Sequence, residues 1–91
     1  MSRTFKKDPD AELDFMVDWA DWLEPMADTI ASVAWIPDTG LTVGATAMTT
    51  TTATAFISGG TAGDTLNVVC RVTTAGGRTD DRTITINIVN R

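Results

Sequence analysis

Between residues 65 and 90 the chain alternates apolar and polar side chains with a period of two, a pattern that fits antiparallel sheet and little else. In 65-TLNVVCRVTT-74, Leu66, Val68, Cys70 and Val72 fall on one face, and Asn67, Val69, Arg71 and Thr73 on the other. In 79-TDDRTITINIVN-90, Ile84, Ile86 and Ile88 alternate with Thr83, Thr85 and Asn87. Strands turn successive side chains to opposite faces, so each segment reads as a half-buried strand. Glycines in 59-GGTAGD-64 and 75-AGG-77 tolerate the positive φ that tight turns need. Upstream, Leu41, Val43, Ala45 and Ala47 alternate with Thr42, Gly44 and Thr46, and 53-ATAFIS-58 follows a threonine run. The segment 28-DTIASVAWIP-37 predicts another strand, with Trp35 in the core, ending in the turn 37-PDTG-40. Threonine fills 17 of the 91 positions, and β-branched side chains suit a pleated surface better than a helix.

The first third admits two periods. Leu13, Phe15, Val17 and Trp19 alternate with Asp14, Met16 and Asp18 as in a strand. Leu13, Met16, Val17, Ala20 and Leu23 also share one helical face, and Asp8-Pro9 would start a helix. The clustering of Phe, Val and Trp favours a strand. With six to seven short strands in all, the chain is expected to be all-β, a small immunoglobulin-like antiparallel β-sandwich.

A domain this small buries about 60–65% of its unfolded surface. Its core must be simple, drawn from Leu13, Phe15, Val17, Trp19, Leu23, Ile30, Trp35, Leu41, Val43, Phe56, Leu66, Val68, Val72 and the three isoleucines of the last strand. Such a core leaves no room for a buried active site. The sandwich is assigned to residues 10–91, preceded by a basic, extended arm over residues 1–9. The arm carries Arg3, Lys6 and Lys7, whereas residues 8–28 hold eight acids and no base. An arm of this kind could dock on an acidic neighbour, with Phe5 as its apolar anchor.

The net charge of −5 and the isoelectric point near 4.3 argue against nucleic acid, because binders neutralise phosphates with basic groups. Cys70 is the single cysteine and histidine is absent. A disulfide, a zinc site and a Cys–His nucleophile therefore have no support, and Cys70 reads as a buried small hydrophobe. No apolar run approaches 18 residues, and Met1–Lys7 is too short and polar for a signal peptide, so a soluble protein made in a cytoplasm is expected.

Asp14, Asp18, Asp21, Glu24 and Asp28 lack the order of a calcium loop. On a strand, Asp14 and Asp18 would stand about 13 Å apart, so they read as a solvated edge. The pair 80-DD-81 points to opposite faces of a regular strand, and 78-RTDDR-82 suggests rim ion pairs. The glycines at 59–63 lead into a strand without a following GK[ST], so they form a turn and not a phosphate loop. No catalytic, cofactor or metal residue is assigned. In 15-FMVDWADWLEP-25, Trp19 points inward with Phe15 and Val17, while Trp22 is half exposed and is the candidate anchor for a protein partner.

Taken together, 12-ELDFMVDWADWL-23, 28-DTIASVAWIPDTGLTV-43 and 58-SGGTAGDTLNVVCRVTTAGGRTDDRTITINIV-89 resemble the phage fibre–tail adaptor proteins, small structural proteins of tailed-phage virions. The resemblance covers roughly residues 5–90 and strengthens the strand reading of residues 13–19. It implies a non-enzymatic β-sandwich, present in several copies in the virion and made in the bacterial host cytoplasm. Such a protein would connect tail or portal to fibres at the neck through protein–protein contacts, without cofactor, nucleic acid or membrane. Arg3, Phe5, Lys6, Lys7 and Trp22 are the expected partner contacts. The alternatives are a capsid-decorating cement protein and an immunoglobulin-like module that binds host-surface glycans.

Overall fold

The computed structural model describes residues 2–90, with side chains from Thr4 to Asn90. Seven strands are formed: β1 (Ser2–Lys7), β2 (Leu13–Asp18), β3 (Ile30–Pro37), β4 (Leu41–Met48), β5 (Thr52–Gly59), β6 (Thr65–Thr74) and β7 (Thr79–Ile88). Between β2 and β3 lie one helical turn, α1 (Ala20–Leu23), and a 3-10 turn over Glu24–Met26. The strands pack as two sheets, ordered β1-β7-β6-β3 and β2-β5-β4. The sheet β2-β5-β4 thus faces β3-β6-β7, with β1 added at the outer edge beside β7.

The alternation in β6 and β7 does what its period demands. Val68, Cys70 and Val72 are fully buried, as are Ile86 and Ile88 to within 1%. Their sheet closes on Phe15, Val17, Ala53, Ala55 and Ile57 of the other. Burying two apolar faces against one another is what holds a sandwich of this size together, at about 25 cal/mol per Å² of apolar surface removed from water.

Residues 13–18 form a strand and not a helix, paired antiparallel to β5 from Leu13 opposite Ile57 to Asp18 opposite Thr52. Asp8-Pro9 starts no helix. The Asp8 carboxylate instead accepts the Asp10 N–H at 2.8 Å, and the Asp8 carbonyl accepts the Ala11 N–H at 3.1 Å. That is an Asx-type turn, the local alternative to capping for such a residue.

Several side-chain placements differ from the sequence-based expectation, among them Trp35, which is half-buried at the edge of the core. Phe56 and Leu13 are each 40% exposed, not core residues. In β5 the buried parity belongs to Ala53, Ala55 and Ile57, so Phe56 must point outward. In β4 the pairing with β5 shifts register between Val43 and Thr46. This bulge turns Thr46 and Met48, opposite Ala55 and Ala53, to the phase that Ala45 and Ala47 were expected to hold.

The segment read as an arm lies in the sandwich. β1 runs parallel to β7, from Ser2 opposite Thr83 to Lys7 opposite Ile88, and is the only parallel pair among the described strands. Phe5 meets Phe15 edge to face at 5.0 Å between ring centres, tying β1 to β2 across the two sheets.

Candidate partner interface

The sandwich offers surfaces and shallow grooves more than a cavity. At one flank, β1 and β2 form the edges of the two sheets. Lys7 is fully buried there. Its ammonium donates to the Asp8 carbonyl at 2.8 Å and to the Gly59 carbonyl at 2.7 Å, so it fastens β1 to the end of β5. Lys6 has the opposite parity and is exposed. Lys6, Lys7, Asp8, Ala11 and Leu13 line an open groove of about 470 Å³. The side chain of Arg3 lies outside the described residues. Thus Lys6 faces solvent, while Phe5 is half-buried and Lys7 wholly enclosed.

The tryptophans of the 15–25 segment form a second feature. Trp19 is fully buried. It meets Trp22 edge to face at 5.3 Å between centres, and the Arg82 guanidinium lies 4.2 Å from its ring centre. Arg82 also donates to the Asp18 carbonyl. A cation over an indole contributes about 0.5–2 kcal/mol, rising with desolvation. The buried Trp19 indole N–H meets no oxygen or nitrogen acceptor among the described residues and interacts only with the Cys70 thiol. Trp22 is half-buried, so part of its ring stays available at the surface.

At the same end Asp28 clamps the β6–β7 hairpin. Its carboxylate accepts the Thr29 N–H at 2.9 Å, the Gly76 N–H at 3.1 Å and the Arg78 guanidinium at 2.9 Å. The Thr74 hydroxyl above all, with those amides and Arg78, holds its pKa at about 2 although burial pushes it up. Asp28 is therefore a structural anion, unlike the exposed Asp14, Asp18, Asp21 and Glu24.

Asp81 pairs with Arg71 across the β6–β7 ladder at 2.8 and 3.0 Å. The ion pairs of 78-RTDDR-82 thus reach out to Asp28 and Arg71 instead of closing within the segment. The Arg71–Asp81 pair lies at the surface, where such pairs contribute well under about 1 kcal/mol, whereas the Asp28 side chain is only 6% exposed. Among the described residues no three His, Cys, Asp or Glu side chains gather as metal ligands, and no helix is long and apolar enough to cross a membrane.

Surfaces absent from the sequence-based site also emerge. Met16 and Phe56 project from the outer face of the three-stranded sheet, and Ile36 and Met48 flank the β3 and β4 edges. Strand parity finds Met16, finds Phe56 once the β5 phase is known, and finds Ile36 from the alternation around Trp35. It does not find Met48, which the bulge turns to the inward phase opposite Ala53 yet which stays exposed on the edge strand β4.

Compared with known families, residues 7–87 match the sequence profile described as "Podophage GP4 fiber-tail adaptor protein gp77". No curated protein sequence matches the chain. The matched region runs from the last residue of β1 to the penultimate residue of β7, so it takes in both sheets.

Proposed function

Because this chain belongs to the podophage fibre–tail adaptor family, we propose that it is a non-enzymatic connector of the virion, joining tail or portal to fibres at the neck in several copies. The family match across both sheets carries this reading, since the likeness extends to the whole architecture and not to one motif. A rigid sandwich with four free strand edges and scattered exposed apolar side chains suits a part that works by shape and edge pairing.

Of the sequence-based contacts, Trp22, Lys6 and Arg3 are proposed to meet partners. Phe5 and Lys7 act beneath them by holding β1 on its own sandwich, so Lys6 is presented on a strand edge. Synthesis in the bacterial host cytoplasm precedes assembly.

Immunogold labelling of intact particles with antibody to this chain tests the reading. Gold at the head–tail junction or fibre base is the expected result. An even distribution over the head would replace the connector with capsid cement. Particles without gold or a corresponding mass-spectrometric signal would overturn the virion role.

A further inference from the structure

The four free edges differ sharply in charge. On one flank β1 carries Lys6 and Lys7, and β2 carries Asp14 and Asp18. Charged side chains on an edge discourage pairing with another chain. On the other flank β3 and β4, eight residues each, contain no charged residue, and none occurs from Thr39 to Gly63. Ile36 is 43% exposed and Met48 47%. Between the two edges Val33, Trp35, Thr46, Ala47 and Met48 line a cleft of about 160 Å³.

The two edges are not equivalent. β4 is broken by its bulge between Val43 and Thr46, whereas β3 keeps a regular ladder with β6 from Ser32 to Pro37. The outer backbone groups of β3 over residues 32–36 are thus laid out for one more strand, with Pro37 closing the end. None of the residues lining the cleft is charged, and Asp38, just beyond β3, is engaged by the Asn67 N–H at 2.8 Å. A charged side chain entering this cleft would lose water and find no counterion, a penalty that selects an uncharged occupant. A second copy docking flank to flank about a two-fold axis would bring the β3 edges together but also set its bulged β4 against this one, so half of such a contact has no regular ladder.

We propose that the β3 edge over residues 32–36 takes a single extended, uncharged strand from a different virion protein, which seats one apolar side chain in the cleft between Trp35 and Met48. This rests on the connector reading and specifies one of its contacts. Strand addition supplies affinity through main-chain hydrogen bonds and specificity through the side-chain pocket.

The test places a photo-crosslinking amino acid at position 48 in assembled particles, with position 16 on the outer sheet face as control. It is paired with the charge variants Met48→Lys and Thr46→Lys. Both sites are exposed, so the fold should accept lysine, and unchanged thermal melting checks this. The expected result is a crosslink from position 48, but not 16, to one chain other than this protein, with incorporation of the lysine variants reduced about tenfold or more, as for a lost hot spot. A crosslink to another copy of this chain would overturn the proposal, as would folded lysine variants that incorporate normally. If the wild-type chain is in the particle but position 48 crosslinks to nothing, the β3 site alone fails. If the chain is missing from particles, the connector reading fails and takes this inference with it.

Discussion

Asp28 and Cys70 show how the environment of a single side chain sets its behaviour. The Asp28 carboxyl has a pKa of about 2 in the folded protein, against about 3.9 in an unfolded chain. A depressed pKa contributes stability that is complete above the unfolded value and is lost as pH falls through about 4 towards 2. Asp81, lowered by its hydrogen bond to Arg71, acts in the same direction. Denaturation midpoints of the wild type should therefore drop between pH 4 and 2, and Asp28→Asn should flatten that drop. Parallel pH profiles would refute the clamp. Burial pushes the Cys70 thiol up to about 11, and only thiolate reacts readily. Native protein should accordingly resist a thiol reagent such as Ellman's at pH 8, while protein unfolded in denaturant labels at once. Fast labelling of the folded state would mean that the sandwich opens locally.

At the scale of elements, the turns carry the conformational demands. Gly59 has φ +91°, and a Cβ there would lie 2.6 Å from the Gly40 carbonyl oxygen; Gly63 has φ +96° with nothing within 4 Å. Gly63→Ala should therefore cost only the backbone strain of a positive φ, about 1–3 kcal/mol. Gly59→Ala should cost clearly more, because two backbones that pair β4 with β5 must separate. Equal losses in urea unfolding would show that the close approach does not matter.

Elements also mark where the sequence was legible. β6 and β7 could be read because long alternation between glycine turns has one structural meaning, and Trp19 because it shares the parity of Phe15 and Val17. The phase of β5 was misread because Phe56 is more apolar than Ala53 and Ala55. The core already holds Trp19 and three β7 isoleucines, and its remaining space suits methyl groups. The β4 bulge had one sign in the sequence, Gly44 within a strand. Nothing local announced β1, since five of its six residues are polar and its partner β7 lies more than 70 residues downstream. For the candidate site, Trp22 and Lys6 could be found as exposed groups. The β3 edge could not, because an edge exists only once strand order is known.

For the whole molecule, the β1–β7 pairing changes what a truncation means. Removing residues 1–7 would expose the edge of β7 and uncover Phe15, besides removing any contact with a partner. A loss of about 2 kcal/mol from the Phe5 packing and the parallel ladder corresponds to a fall in Tm of roughly 8–16 °C. A truncated protein that melts like the full chain would show that β1 adds little and would return the segment to the role of a free arm. Lys6→Ala tests partner contact without this confusion, because its side chain faces away from the core.

The same pairing has a consequence in time. Of these strands β1 is made first and β7, against which it lies, last, on the order of ten seconds later at ordinary translation rates. Until then Phe5 has Phe15 but no sheet to join, and Lys7 has no enclosure. The four-stranded sheet can close only on a polypeptide that has been translated through its final strand. Prematurely terminated products would lack that closure, which would act as a proofreading step on the supply of parts before particle assembly begins.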